Sequence, residues 1–243
     1  MFDDSSNPIL SRKNFAVAST GDTATLADTI NRCLILLALV FGSAVFAWIN
    51  PGVSLSAIAG RLSLFTAVSV VALIVICIKK EWSGVMAPLY AICQGLTLGA
   101  FSRLFEMAYP GIVLQAVMLT LGVAFGMLVL YKTGVIGVSD RFRIVVTSAL
   151  FGIFAVYLMS WVVSLFGVSV NFINSSGIFG LVFSAFVVVI AALSLAMDFD
   201  FIVGVSNRGL PMHMAWFAAF GLMVGLIYLY VHILSLLSKL RNR

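Results

Sequence analysis

Long apolar runs constrain this chain more than any other feature. A helix needs about 20 mostly apolar residues to cross the hydrocarbon core of a bilayer. Seven runs meet that standard, at about 30–48, 62–78, 85–104, 112–131, 144–166, 178–197 and 212–237. They predict an all-α membrane protein with seven transmembrane helices.

Composition excludes most other classes of protein. The chain is 62% hydrophobic and 9% charged, whereas a soluble domain is roughly 45–50% apolar and about 25% charged. A soluble enzyme, a disordered chain, a disulfide scaffold and a nucleic-acid binder are therefore excluded. The net charge of +5 resides in short connections between apolar runs, where basic residues determine topology and meet lipid headgroups. The three cysteines lie in or beside apolar runs, which favours small buried hydrophobic side chains.

The runs divide the chain into a polar tail at 1–28, one seven-helix domain at 29–238 and a basic tip at 239–243. Short connections predict a compact bundle of antiparallel neighbours. Nine Lys and Arg residues fall on the side of the N-terminus and five on the other side. This bias predicts a cytoplasmic N-terminus. The basic tip argues the other way, so the side of the C-terminus stays open.

Three pairs of glycines at a spacing of four indicate close helix contacts, because small residues let helix backbones approach in lipid. The pairs are Gly95 and Gly99, Gly122 and Gly126, and Gly221 and Gly225. We expect them to pack helices within one chain, so a monomer is favoured over an oligomer.

Ionisable residues at membrane depth are costly and are the default functional candidates. Asp198 and Asp200 interrupt an apolar stretch that runs over 177–205. On a regular helix their side chains point about 200° apart, so they cannot face the same partner. Either one of them faces the bundle or a water-filled cavity, or both are solvated at a helix end. His232, in the seventh run, is either a packed ring or a pH switch.

Several catalytic motifs are absent from the sequence. There is no HExxH zinc motif, GxSxG elbow or phosphate-binding loop of the Walker type. The two histidines are far apart in the chain, which disfavours a histidine-rich metal site. We therefore expect neither an enzyme nor a resident cofactor.

Several short stretches of the chain follow a recognisable pattern. The most specific are MDFDFI at 197–202 and MAWFAAFG at 214–221. The others are SNPIL at 6–10, APLYA at 87–91, QGL at 94–96, YPGIV at 109–113 and RFR at 141–143. In these stretches the chain resembles the Bax inhibitor / YccA family, the transmembrane Bax inhibitor motif proteins, and within it a bacterial branch.

The resemblance implies a fold in which six helices surround a central C-terminal seventh. It implies a pH-sensitive pair of acids, on helices six and seven, that gates a calcium leak, and a location in the bacterial inner membrane. Asp198 would be the acid of helix six, with Asp200 close by, and Lys79 or Lys80 is the nearest match to a basic latch at the end of helix two. Bacterial relatives also associate with a membrane AAA protease of the FtsH type.

Departures from the family pattern alter this expectation. The acid of helix seven falls on His232, and two further acids of the pattern fall on Gln94 and Ala215. Protonation of a histidine beside Asp198 would form an ion pair rather than dissolve one. Calcium prefers several oxygen ligands, so fewer acids imply weaker calcium binding, with at most a transient contact at Asp198.

The sequence thus predicts a pH-responsive leak for calcium or protons. Asp198 would be the main sensor, His232 its partner and Asp200 a secondary ligand. The alternative is a non-conducting regulator that binds an FtsH-type protease through its polar tail.

Overall fold

The structure is a computed structural model that describes residues 23–49, 55–166 and 177–242. Within these residues the chain forms seven long α-helices, which confirms the all-α prediction. They are α1 (Leu26–Ile49), α2 (Leu55–Ile78), α3 (Ser83–Ala108), α4 (Ile112–Lys132), α5 (Asp140–Leu165), α6 (Ile178–Asn207) and α7 (Met212–Arg241). A single 3₁₀ turn, Lys80–Trp82, precedes α3.

Within the residues that the structure describes, six helices, α1 and α3 to α7, are long and apolar enough to cross a membrane. Helix α2 contributes the apolar segment Leu64–Ile78. Large apolar side chains cover the outside of the bundle; Phe41 is 68% exposed and Phe151 is 69% exposed. Such a surface is stable in lipid and not in water, so the fold is that of a multi-pass membrane protein.

The C-terminal helix α7 has no exposed residue before Leu240. It packs against α6, α1, α4 and α3, whereas α2 packs mainly on α3 and α5 mainly on α6. The side chains of Met223, Leu229 and Ile233 are fully buried. The centre of the bundle is therefore α7 with its four neighbours, and α2 and α5 flank that centre.

Glycines bring α1 and α3 together. A Cβ atom at Gly95 would lie 2.5 Å from the carbonyl oxygen of Val40, and one at Gly99 would overlap the backbone of Ala44. The two backbones are thus in direct contact, as the spacing of the glycines predicts.

The glycine pair on α4 has different surroundings. Nothing lies within 4 Å of the position that a Cβ would take at Gly122 or at Gly126. This pair brings no helix close in the described part of the chain.

Hydrogen bonds fasten the connections at the end of the bundle where α1 begins, here called the N-terminal side. The Ala24 N–H donates to the Leu210 carbonyl at 2.9 Å, so the start of α1 is held by the α6–α7 connection. The Ser83 hydroxyl donates to the His213 carbonyl at 2.8 Å and fixes the start of α3 to that of α7. The opposite end of the bundle is called the C-terminal side.

Candidate functional site

Asp198 lies inside a helix rather than at its end. The 30-residue helix α6 runs without a break through both acids, and its last residue, Asn207, is about 14 Å further along the axis at 1.5 Å per residue. The Asp198 carboxyl group therefore lies well inside the helix, within the helical bundle.

The Asp198 side chain is directed at the glycine pair of α7. A Cβ atom at Gly225 would lie 2.6 Å from Oδ2 of Asp198, and one at Gly221 would lie 3.8 Å from Oδ1. Gly225 thus provides the space that the carboxyl group occupies. The sequence predicts these glycines as a helix-packing motif, and the structure shows that they also accommodate an acid.

Asp198 forms no ion pair or hydrogen bond with any residue that the structure describes. The surrounding helices largely bury its carboxyl group. Leu195, on the same helix, packs beside it over Gly225. Cys33 of α1 is within electrostatic range of the carboxylate. No group of three or more His, Cys, Asp or Glu side chains that could hold a metal forms in residues 23–49, 55–166 and 177–242.

Asp200, two residues further along α6, forms both an ion pair and a hydrogen bond. Its carboxylate forms an ion pair with Arg143 of α5, and the Tyr131 hydroxyl of α4 donates to it at 3.2 Å. The two acids therefore face different neighbours, as expected for positions i and i+2 of a regular helix. Asp200 links α4, α5 and α6 on the N-terminal side, and Arg143 balances its charge.

His232 lies on α7 among aromatic rings. Its ring centroid is 4.3 Å from that of Tyr228 and 5.9 Å from that of Tyr157. Along α7 it is seven residues beyond Gly225, about 10 Å nearer to the C-terminal side. In the described part of the chain no hydrogen bond or ion pair joins His232 to Asp198, so the structure does not bring the two together.

The two lysines that end α2 differ in their surroundings. Lys79 precedes the 3₁₀ turn and is exposed. The Lys80 ammonium lies 5.1 Å from the ring centroid of Phe217, a cation–π distance. Phe217 is one turn before Gly221 on α7 and packs edge-on against Phe201 of α6, with centroids 5.9 Å apart. Lys80 therefore lies over the contact between α6 and α7, here called the α6–α7 seam, on the N-terminal side of the Asp198 carboxyl.

Sequence reasoning missed the role of a third cation, Arg32 of α1, which it counted only as a topology signal. The Arg32 guanidinium lies over the Trp216 ring, 5.3 Å from its centroid. Its Nε and Nη1 atoms are buried and have no hydrogen-bond partner among the residues that the structure describes. Arg32 precedes Cys33, which lies near Asp198. An arginine six residues inside a spanning helix is the sequence signal for this position.

The bundle of long apolar helices is that of a polytopic membrane protein. The acid Asp198 lies inside one of these helices, and Gly225 on the next helix leaves space for its carboxyl group. A model of the family described as Bax inhibitor 1 like matches residues 7–242. The chain belongs to that family, as the sequence motifs predict. Searches of the curated proteins and of the solved structures found no match.

Proposed function

We propose that the protein is a pH-responsive cation leak in which the Asp198 carboxyl binds a proton or a passing cation. The observation that carries this proposal is the contrast between two acids on one helix. Asp200 is paired with Arg143 and bonded to Tyr131, whereas Asp198 has neither kind of partner among the described residues.

The energetics of the two acids differ accordingly. An ionised group inside a membrane bundle is stable when a counter-charge and hydrogen bonds offset its lost hydration. Arg143 and Tyr131 do this for Asp200. A charged Asp198 has to draw in water or a cation, or else take up a proton. The protonation state of Asp198 is therefore coupled to the hydration of the α6–α7 seam.

The seam is narrow enough to respond to that change. Gly225 leaves less room than a methyl group needs, so water can enter between Asp198 and Gly225 only if α6 and α7 separate. Two cations lie over aromatic rings of α7 on the N-terminal side, Arg32 over Trp216 and Lys80 over Phe217. Both have long flexible side chains, and either is suited to latch an ionised Asp198 when the seam opens.

The ligand set favours a proton or a hydrated cation over tightly bound calcium. Calcium takes six to eight oxygen ligands, and one carboxylate supplies at most two of them. Cys33 is a weak ligand for so hard a cation. A calcium ion would therefore pass Asp198 in partly hydrated form.

Flux into liposomes tests the proposal. The full-length protein would be reconstituted with a calcium indicator in one set of vesicles and a proton indicator in another, between about pH 6 and 8. Asp198→Asn keeps the size of the side chain and removes its titration, so its flux should no longer depend on pH. His232→Phe keeps the packed ring and should leave the pH dependence intact. The absence of flux above empty vesicles with either indicator would overturn the proposal.

One contact favours a second function, that of a regulator of an FtsH-type protease on a cytoplasmic N-terminal side. The Ala24 N–H holds the start of α1 to the Leu210 carbonyl, so a partner that grips the preceding tail acts directly on the α6–α7 connection. Deletion of residues 2–20 should abolish co-purification with such a protease and leave flux unchanged. Asp198→Asn should remove the pH dependence of the flux and leave co-purification unchanged. Undiminished co-purification after the deletion would exclude the tail as the binding segment.

A further inference from the structure

An apolar slot opens between α1 and α4 in the half of the bundle near the C-terminal side. Helices α3 and α7 form its floor, because they pack between α1 and α4. The slot has a volume of about 510 Å³. Phe41 of α1 and Leu121 of α4 line its walls, and Leu98 and Ile227 line its floor. It lies apart from Asp198, which does not line it.

The polar groups of the slot satisfy one another. Hydroxyl groups of Ser102 and Tyr230 are hydrogen-bonded at 2.7 Å, and the Thr120 hydroxyl donates to the Ala116 carbonyl at 2.7 Å. A ligand in the slot therefore meets hydrocarbon and already paired hydroxyls. A hydrocarbon chain fits this lining, whereas a polar molecule would lose hydrogen bonds to water without replacement.

The length of the slot matches one leaflet. Along α1 the lining runs from Leu37 to Trp48, about 16 Å at the helical rise per residue. This is about half of the ~30 Å hydrocarbon core of a bilayer. One acyl chain of a lipid in the leaflet at the C-terminal side spans that depth, with its headgroup beside Trp48, a residue type that favours the interface.

A positive charge stands where that headgroup would lie. Arg103 follows the lining residue Ser102 on α3, and its Nη1 donates to the Trp48 carbonyl at 3.3 Å. This is the one hydrogen bond of Arg103 within the described residues, and the guanidinium carries five N–H donors. Its planar fork suits a phosphate group.

We propose that the slot binds one phospholipid, with an acyl chain between α1 and α4 and the phosphate on Arg103. The inference does not depend on ion conduction. The lipid would bind in the half of the bundle near the C-terminal side, separate from the α6–α7 seam that contains Asp198.

Native mass spectrometry of the full-length protein in detergent tests this site. The probes are a phosphatidylglycerol, a diacylglycerol with the same chains and inorganic phosphate. Arg103→Gln can still donate to the Trp48 carbonyl but has lost its charge, so phosphatidylglycerol affinity should fall about tenfold, as expected for a lost charge-assisted hydrogen bond. Diacylglycerol binding should not change. Arg141→Gln, an exposed arginine at the other end of the bundle, is the matched control.

A second variant tests the acyl chain. Val45 lines the slot and is 37% exposed, so Val45→Trp should obstruct the slot and abolish retention of both lipids while the chain still folds. Val145→Trp on the exposed face of α5 is its control. Equal lipid retention in wild type, Arg103→Gln and Val45→Trp would overturn the proposal. Binding of inorganic phosphate as tight as that of the lipid would do so too, because it would leave the slot without a role.

Discussion

The carboxyl group of Asp198 on α6 lies against Gly225 on α7, where an added Cβ would be 2.6 Å from Oδ2. The acid and the glycine are 27 positions apart, on consecutive antiparallel helices. This contact makes the packing of the α6–α7 seam depend on the state of one carboxyl group. The contact also explains how the carboxyl group fits between two closely packed helices.

Gly225→Ala should destabilise the protein, because the new methyl group meets Asp198 and also Leu195 at 3.2 Å. Overpacking of this kind costs about 1–3 kcal/mol. Gly221→Ala is the matched control: its methyl group would lie 3.8 Å from Oδ1, an ordinary contact, and alanine favours the helix by up to about 1 kcal/mol. Thermal unfolding in detergent would compare the two, and equal stability of both variants would contradict the proposed seat.

The Gly225→Ala penalty should shrink when Asp198 is replaced by alanine. A double-mutant cycle isolates the coupling between two residues in contact, with about 0.5–3 kcal/mol expected for such a pair. The four unfolding free energies of wild type, both single variants and the double variant would give the value. Additive effects would show that Gly225 packs against something other than the acid.

Arg143→Gln should weaken the contact among α4, α5 and α6, since it removes the counter-charge of Asp200. The two side chains are 42% and 31% exposed, so solvent screens the pair and we expect a loss of about 1 kcal/mol or less. Arg141→Gln should change unfolding very little, and the exchange of Arg143 and Asp200 should recover part of the loss. In liposomes, Arg143→Gln should keep a pH-dependent flux; its disappearance would move the sensor from Asp198 to Asp200.

Gly99→Leu should prevent proper packing of α1 on α3, because even a Cβ atom at this position overlaps the Ala44 backbone. Leucine at Gly126 should be tolerated, since nothing lies within 4 Å of the corresponding Cβ position. Yield of folded protein and resistance to proteolysis would separate the two variants. Similar damage from both would mean that the α4 glycines also pack against a partner.

The helices were predictable because each carries a long apolar run, and the family followed from motifs such as MDFDFI. The partners within the candidate site were not. Arg143 lies 57 positions from Asp200, and hydropathy shows only that it precedes an apolar run. The glycine pairs on α4 and α7 have the same spacing but different surroundings. Gly122 and Gly126 face open space in the described part of the chain, whereas Gly221 and Gly225 face the Asp198 carboxyl group. The facing helix determines this difference, so spacing alone does not predict it.

His232 shows the same limit for a single side chain. An ionisable residue on an apolar helix predicts either packing or titration, and only the fold reveals that Tyr228 and Tyr157 surround the ring. The expectation that His232 partners Asp198 stays a prediction, and the structure places the two about a heptad apart along the α7 axis.

Infrared difference spectroscopy of the reconstituted protein measures proton uptake by Asp198 most directly. Between about pH 8 and 6, wild-type protein should gain a protonated-carboxyl band that is absent in Asp198→Asn and persists in Asp200→Asn. The same pH range should change flux in the wild type and not in Asp198→Asn. A carboxyl band that survives in Asp198→Asn, or no band in the wild type over that range, would contradict the assignment of Asp198 as the proton-binding group.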